Sequence, residues 1–407
     1  MVFAFLLRLL LLVLVAFINP EGIYTFDGHE YTHMADLIRK GWICNPNADE
    51  ISVYDLHRTP LYPLLIYLTQ WGSVYLLLAL QLLAGVAVVY YTYKLTMQYV
   101  SVNWAKTAAL FVAVDLPSIV HGNFVLTETF FTLTLIVALY CLTLWWNQQN
   151  KKALVMGLVL LGLASLFRPI SLYLPFFIAF VLLFVNIRQT LVFFSCTLVV
   201  YLPIVGLWIL RNYLIFGSIY YSHIGTFNLM YHQASSVYAQ AHDIPIMQAR
   251  NIVFGKALAN SNNEFEFYSE GRKISLGILV DYPLITTKNV AKAEMNLFLK
   301  PVKTAVKDQF GTVPKSIEYL HLSVQFILLT PLYLGIALWK KSVFISKSNR
   351  FSTMALPVGV ILYFMLTSNI PEVDARFRVP FIALLALISV MGYSNLLSKK
   401  NHKTKSK

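Results

Sequence analysis

The residues best suited to chemistry in this chain are carboxylates that stand beside long apolar runs. Asp27 opens the segment DGHEYTHMADLIRKG, and Glu128 lies in the segment HGNFVLTETFF. A carboxylate near an apolar surface can act as a general base that takes a proton from a hydroxyl group. Both acids also have structural explanations, since Asp27 with Glu30 three residues later imitates a capping box and Glu128 would favour a helix start. For Asp27 the two roles are compatible, because a capped carboxylate is also held in one orientation.

Arginines at the ends of apolar runs form the second group of candidates. Arg58 precedes the proline pair Pro60 and Pro63. A planar guanidinium can bind a phosphate through two parallel hydrogen bonds, although an arginine at a membrane interface is often only an anchor. Because these arginines and the acids collect at the same ends of the runs, a bound phosphate explains them better than lipid headgroups alone. The other members of the group are Arg168, Arg211, Arg376 and Arg378.

Asp115 is a different kind of candidate because it lies inside an apolar run, just ahead of Pro117. An acid within a membrane span is a functional candidate by default. A local hydrogen bond at a proline kink would explain it equally well. The sequence leaves these two explanations open.

Composition indicates what kind of protein must hold these residues. The chain has 407 residues, of which 57% are hydrophobic and 13% are charged, whereas soluble proteins average about 25% charged residues. An integral membrane protein is therefore predicted. The net charge of +13 then reports orientation in the bilayer rather than binding to nucleic acid. Cys44, Cys141 and Cys196 are too few and too scattered for a disulfide framework or a zinc site.

Apolar runs that approach the length of a membrane span define the predicted elements. A helix needs about 20 mostly apolar residues to cross the hydrocarbon core. The sequence predicts an all-α polytopic membrane protein with about ten transmembrane helices. The runs are 2–18, 74–95, 104–120, 126–146, 153–167, 170–185, 190–209, 322–339, 352–367 and 379–397.

The first run, 2–18, has to be distinguished from a signal peptide. It has no basic segment ahead of its apolar core and no small-residue cleavage site after it, so we interpret it as a retained anchor. Arg8 lies within this run, where a central charge costs roughly 2.5–3.5 kcal/mol. Its side chain is therefore expected to extend to the cytoplasmic headgroups.

Charge is divided unequally between the two sides of the predicted membrane. The connections on one side carry lysine and arginine and no acid, whereas the acids lie in the segments on the other side. By the positive-inside rule, both termini are cytoplasmic and the candidate residues face the exterior of the plasma membrane. The sequence thus predicts an N-terminal membrane module (1–211) with a catalytic first external loop (19–73), an external helical cap (212–321), and C-terminal membrane helices with a basic tail (322–407).

The candidate residues belong to short motifs whose order resembles a known family. The motifs are DGHEY, RTPLYP, LTETFF, LASLFRPISLYLP, WILRNYLIFGSIYYS and ARFRVPF, and they extend over about 350 residues. Together they are similar to the glycosyltransferases of the GT-C superfamily, especially the branch that contains the lipid A aminoarabinose transferase and the protein O-mannosyltransferases. Each motif is loose alone, and the ordered set carries the resemblance.

The resemblance implies a sugar donor linked through phosphate to a polyprenol of the undecaprenyl or dolichyl type, and a GT-C bundle with its active site away from the cytoplasm. It implies that Asp27 is the catalytic base, that Arg58 contacts the lipid phosphate and that Glu128 is a second acidic position. Substrate binding is assigned by motif to Tyr31, His57, Asn123, Arg168, Arg211, Asn212, Arg376 and Arg378.

Acceptor and cofactor are less well defined by the sequence. The acceptor is a lipid, a glycan or a protein, as in lipopolysaccharide assembly or protein glycosylation of the cell envelope. Gly28 follows Asp27 where the mannosyltransferases have an acid, which argues against a protein. No cofactor is assigned with certainty, and a divalent metal held by Asp27 and Glu128 stays open because some members of the superfamily use one. Membrane lipids are expected partners and nucleic acid is not.

The main alternative is a transporter or flippase for a lipid-linked or small anionic substrate. Such proteins place paired polar residues near the middle of the bilayer and usually contain a repeated half, whereas the ionisable residues of this chain lie mainly at one face. A polysaccharide polymerase or ligase would lack the ordered first-loop acid and RTPLYP motif. A purely structural membrane component would leave the external carboxylates and arginines unexplained.

Overall fold

Helices make up all the regular structure of the residues described in this computed structural model, which confirms the predicted all-α class. The described residues are 1–41, 57–217, 219–300, 303–311, 315–345, 350–368 and 373–404. Residues 42–56 of the predicted first external loop, which include Cys44, lie outside this set.

The described residues of the N-terminal part, up to 217, contain eleven α-helices, and most coincide with the apolar runs. A π-helical segment, Thr197–Tyr201, joins the last two of them. The helices are α1 Val2–Ile18, α2 Phe26–Arg39, α3 Leu61–Thr69, α4 Ser73–Thr96, α5 Val102–Ala113, α6 Leu116–His121, α7 Glu128–Gln148, α8 Lys151–Phe167, α9 Leu174–Leu183, α10 Ile187–Cys196 and α11 Leu202–Phe216.

Within the described ranges, nine more α-helices follow in the C-terminal part and in 212–321, the predicted external cap, which we call the second external segment. A 3-10 helical segment, Ala375–Phe381, precedes the last one. The helices are α12 Ile224–Asn228, α13 Ser235–His242, α14 Ile246–Ala259, α15 Glu264–Asp281, α16 Pro283–Leu299, α17 Lys303–Phe310, α18 Lys315–Ile345, α19 Arg350–Thr367 and α20 Ile382–Thr404.

Several of these helices are suited to a bilayer, and the chain is a multi-pass membrane protein. Within the described ranges, five stretches are long and apolar enough to span, and three apolar helices are shorter. The predicted number of about ten spans is not confirmed. The five are Leu61–Thr96, Glu128–Gln148, Ile187–Phe216, Leu322–Trp339 and Ala375–Leu397, and the shorter ones are Val2–Ile18, Pro169–Leu183 and Met354–Thr367.

The run predicted as one span over 104–120 is instead divided between α5 and α6. Asp115 is the N-cap of α6, and its carboxylate accepts hydrogen bonds from the backbone N–H of Ser118 at 3.0 Å and from the Ser118 hydroxyl at 2.6 Å. Pro117 cannot donate to the preceding turn, so the chain restarts here with a new cap. The local hydrogen bond at the proline therefore accounts for Asp115.

Among the residues that the structure describes, two apolar cores hold the helices together. The large one joins the membrane helices, with α7 packed between α4 and α8, and with α20 against α5 and α18. The small one lies in the second external segment and includes Met230, Val253 and Ile278. The helices of that segment therefore bury an apolar interior of their own.

Arg8 does not extend to the headgroups, in contrast to the prediction. Its side chain is buried, and its guanidinium donates to the carbonyls of Ala4 and Ala113 at 3.2 Å and of Val112 at 3.4 Å. Because α5 ends at Ala113, its last carbonyls have no partner within the helix, and a guanidinium satisfies them. Gly85 of α4 makes room, since a Cβ there would lie 3.0 Å from Arg8 Nε.

Arg8→Met should lower the free energy of unfolding by about 1.5–3 kcal/mol, the cost of losing hydrogen bonds to a charged group. Arg188→Met is the matched control, because Arg188 is exposed in the first turn of α10. Thermal unfolding of both variants in detergent measures the effect. Equal midpoints for the two variants would contradict this role for Arg8.

Candidate active site

Asp27 occupies the first turn of α2 without being the residue that caps the helix. Thr25 is the N-cap, and its hydroxyl accepts the backbone N–H of Gly28 at 3.1 Å. The capping-box explanation of Asp27 is therefore wrong, since the cap lies two residues earlier. The Asp27 carboxylate is left to interact with side chains from elsewhere in the fold.

Close backbone packing holds the start of α2 beside the start of α7. The N–H of Val125 donates to the carbonyl of Ile23 at 2.9 Å. Gly28 is buried, and a Cβ at this position would lie 3.1 Å from the carbonyl oxygen of Val125. This is tighter than an ordinary contact, so glycine favours the close approach of the two segments. It places Asp27 near the helix that begins at Glu128.

Arg58 joins the segment before α3 to two acids of α2. Its Nη2 lies 2.7 Å from Asp27 Oδ1, and its Nε donates to Glu30 Oε2 at 2.8 Å. The guanidinium also lies 4.9 Å from the centre of the Tyr31 ring, within the range of a cation–π contact. One arginine thus binds two carboxylates and rests on an aromatic ring.

Arg376 connects Asp27 with Glu128. Its Nη1 lies 2.8 Å from Asp27 Oδ2, and its Nε donates to Glu128 Oε1. Arg168, which follows α8, donates to the same oxygen of Glu128. Glu128 itself is fully buried, and its Oε2 has no hydrogen-bond partner among the described residues. The ion pairs thus run in the order Arg58, Asp27, Arg376, Glu128, Arg168, and we call this set the arginine–carboxylate chain.

The charges of this set fix the protonation of Asp27 and Arg58. Burial alone would raise the pKa of Asp27, but Arg376 and Arg58 offset it and hold the pKa of the carboxyl well below its usual range. Burial would also lower the pKa of Arg58, but Tyr31, Asp27 and Glu30 keep it above its usual value. At neutral pH Asp27 is an anion and each of its two oxygens contacts a guanidinium.

Two of the arginines predicted from the sequence, Arg211 and Arg378, lie apart from the arginine–carboxylate chain. Arg378 is fully buried and donates to the carbonyl of Phe298 at 2.7 Å, at the end of α16. Arg211 lies over the rings of Trp208 and Phe216. Cation–π and carbonyl contacts of this kind stabilise helix ends.

Three polar residues predicted to bind substrate also lie apart from the arginine–carboxylate chain. They are Asn212, Asn123 and His57. Asn212 donates to the backbone carbonyl of Tyr220 at 2.9 Å, which closes the turn after α11. Asn123 lines a small polar cavity together with Arg8. His57 is buried beside α15 of the second external segment. Of the residues named from the sequence, Asp27, Tyr31, Arg58, Glu128, Arg168 and Arg376 come together.

A divalent metal held by both Asp27 and Glu128 would have to displace Arg376 from between them. The guanidinium of Arg376 takes the place between the two carboxylates, and Arg58 occupies the remaining oxygen of Asp27. A cation there would meet two fixed positive charges. The part of the chain described by the structure also contains no cluster of three histidine, cysteine or acidic residues that could hold a metal.

Glu30 is a member of the site that sequence reasoning treated only as part of a cap. It lies three residues after Asp27 on α2, so both carboxylates reach the same face of the helix. This spacing could have indicated a shared cationic partner. The partner, Arg58, is 28 residues further along the chain, and no local rule of spacing relates the two.

Comparison with known proteins supports the fold. No family model matches this chain, and no curated protein sequence matches it. The oligosaccharyltransferase of Archaeoglobus fulgidus, solved with a tethered acceptor peptide, aligns with 96% of this chain and 50% of its own length, at 16% identity and a TM-score of 0.52. The same enzyme with an inhibitory peptide and a dolichol-phosphate aligns with 98% of this chain at a TM-score of 0.51.

This chain therefore spans about half the length of the oligosaccharyltransferase. ArnT from Cupriavidus metallidurans, solved with undecaprenyl phosphate, aligns with 95% of this chain and 77% of its own length, at 13% identity and a TM-score of 0.40. The likeness to the oligosaccharyltransferase confirms the predicted GT-C type of fold.

Glu128→Gln should destabilise the protein by about 3–5 kcal/mol, as expected when one partner of a buried ion pair is removed. The cause is that Arg168 and Arg376 lose the negative charge that neutralises both of them, and the amide NH₂ group of glutamine cannot accept from a guanidinium. Thermal unfolding in detergent measures the loss. Glu270→Gln breaks a pair with the exposed Lys273 and should have a much smaller effect. A Glu128 variant as stable as this control would show that the buried pairs contribute little.

Proposed function

We propose that this protein is a membrane glycosyltransferase that moves a sugar from a polyprenyl-phosphate donor to an acceptor on the non-cytoplasmic face. The observation that carries the proposal is the arginine–carboxylate chain, in which a single ionised Asp27 lies between Arg58 and Arg376. A base between two guanidinium groups suits a reaction that removes a proton from a hydroxyl and releases a phosphate. The fold shared with an oligosaccharyltransferase, one structure of which contains a dolichol-phosphate, supports the same class of donor.

The charges of the site suggest how the donor binds. The acids Asp27, Glu30 and Glu128 balance the arginines Arg58, Arg168 and Arg376, so the arginines have no unpaired positive charge to offer a phosphate. The donor phosphate must therefore compete with the carboxylates for the guanidinium groups. As Arg58 and Arg376 turn to the phosphate, Asp27 loses the contacts that hold its pKa down and becomes a stronger base.

In the reaction itself, the acceptor oxygen attacks the anomeric carbon while the bond from that carbon to the phosphate oxygen breaks. Asp27 takes the proton of the acceptor hydroxyl late in this step, which typically accelerates such reactions 10²–10⁴-fold. The electron pair of the broken bond stays on the polyprenyl phosphate, which becomes more anionic. Arg58 and Arg376 then stabilise the transition state more than the ground state.

The acceptor is proposed to be a lipid or a glycan hydroxyl rather than a protein side chain. Gly28 packs tightly against the Val125 carbonyl, so the acid that follows the catalytic residue in the protein O-mannosyltransferases would crowd that carbonyl here. The segment 212–321, whose described helices bury a small core of their own, is proposed to select the acceptor. Both termini are proposed to be cytoplasmic, as the distribution of charged residues in the sequence favours.

Asp27→Asn should reduce sugar transfer at least about 100-fold, because the base is lost. The same variant should bind undecaprenyl phosphate more tightly than wild type, since one competitor for Arg58 and Arg376 is neutralised. The helix should persist because Thr25 caps it. Transfer is measured by mass spectrometry of the product, and lipid binding by native mass spectrometry of protein in nanodiscs. Asp36→Asn, which alters an exposed acid of the same helix, is the control.

Wild-type transfer by the Asp27→Asn variant would exclude Asp27 as the base. Weaker binding of undecaprenyl phosphate by this variant would exclude competition between the carboxylate and the lipid phosphate. The two results are independent, so each part of the proposal is tested separately.

Arg58→Ala should weaken binding of undecaprenyl phosphate about 10-fold or more, because a hydrogen bond from a charged group to the phosphate is lost. The donor KM should rise in parallel while the acceptor KM stays close to that of wild type. Arg39→Ala is the matched control, since Arg39 is an exposed arginine at the end of α2. An unchanged donor KM would remove Arg58 from the donor site.

A further inference from the structure

His57 lies beside Arg58 in sequence but contacts a different part of the molecule. Its ring Nε2 is 2.6 Å from the hydroxyl oxygen of Tyr268, which belongs to α15. Its backbone carbonyl accepts a hydrogen bond from the Ser222 hydroxyl at 2.7 Å, just before α12. Both the ring and the backbone of His57 are therefore attached to the second external segment.

Aromatic packing encloses this attachment. The His57 ring lies 5.2 Å from the Phe227 ring and 5.6 Å from the Tyr268 ring, with which it makes an edge contact. The ring of Tyr268 is also stacked on His223 at 4.4 Å. His57, His223 and Tyr268 are all buried. Fully packed rings in staggered conformations have little freedom to move, so this cluster fixes the backbone at residue 57.

The imidazole of His57 is uncharged at neutral pH. Burial, together with Arg58 and His223, lowers the pKa of His57 to about 3. A neutral ring has one donor and one acceptor nitrogen, and either can bond to a tyrosine hydroxyl. The contact is thus an ordinary neutral hydrogen bond.

The position of Arg58 depends on this attachment because the connection is short. Arg58 follows His57 directly, and α3 begins three residues later at Leu61. Its guanidinium contacts Asp27 and Glu30. A displacement of the backbone at His57 would therefore move the guanidinium relative to both acids. Distances of 2.7 Å between charged atoms tolerate little of such movement.

We propose that His57 and Tyr268 form a positioning pair through which the second external segment holds Arg58 in place for the donor phosphate. His57 is then a positioning residue and not a ligand of the substrate. A change in the external helices, such as one caused by a bound acceptor, would be transmitted to the donor site by this pair. The inference rests on the proposed function, since it assigns Arg58 to the donor.

Tyr268→Phe tests the pair, because it removes the hydroxyl and keeps the ring that stacks on His223. Undecaprenyl phosphate should bind roughly fivefold more weakly, as expected for one lost neutral hydrogen bond, and the donor KM should rise with kcat within about twofold. In an Arg58→Ala background, Tyr268→Phe should cause no further loss, since the residue to be positioned is absent. Tyr282→Phe is the control, because its hydroxyl bonds to the exposed His242 in the same segment.

Replacements of His57 provide a second measurement. His57→Gln keeps a side chain able to hydrogen-bond to Tyr268 and should retain most of the donor affinity, whereas His57→Phe should reproduce the loss seen with Tyr268→Phe. Unchanged affinity in Tyr268→Phe, or losses that add fully in the double variant with Arg58→Ala, would overturn the positioning role. Failure of the proposed function itself is recognised differently, as an Arg58→Ala variant that alone binds undecaprenyl phosphate like wild type.

Discussion

The contact of Arg376 with two carboxylates is the interaction on which the arrangement of the site depends. Asp27 and Glu128 come from helices far apart in sequence, and burying two negative charges at one place is strongly unfavourable unless a cation is shared between them. Arg376 provides that cation from the 3-10 segment before α20. Three elements, α2, α7 and this segment, are thereby fixed relative to one another by charge neutralisation in a region of low dielectric constant.

The types of residue in the site could be predicted from the sequence, but their partners could not. The arginines at the ends of apolar runs are visible because they lie on the acidic side of the predicted membrane, against the usual distribution of positive charge. Arg376 and Arg378 look equivalent in that respect. The structure separates them, since Arg376 contacts Asp27 and Glu128 while Arg378 donates to the end of α16. Two residues apart in a 3-10 helix of three residues per turn, they must point in different directions.

In the fold, too, features set by local sequence could be predicted, whereas features set by contacts between distant residues could not. Apolar runs predicted most of the membrane helices, because burial and hydrogen bonding require helices there. The positions at which helices begin and end depend on capping side chains, which the periodicity of apolar residues does not reveal. Asp115 begins a new helix where the sequence predicted a continuous one, and Thr25 rather than Asp27 caps α2. Arg8 donates to backbone carbonyls at the end of α5, and the sequence of the run that contains Arg8 could not predict these partners.

A charge-balanced site has a consequence for the donor that we propose. Free inorganic phosphate gains little there, because it must displace carboxylates that already neutralise the arginines. A polyprenyl phosphate has an additional source of binding energy, since each CH₂ group transferred into an apolar environment contributes about 0.8 kcal/mol. Binding energy from the chain, remote from the reacting bond, can be used to separate Arg58 and Arg376 from Asp27. In the proposed reaction, Asp27 is then released from its ion pairs only when a lipid-linked donor is in place, which limits the proposed activity to membrane-bound substrates.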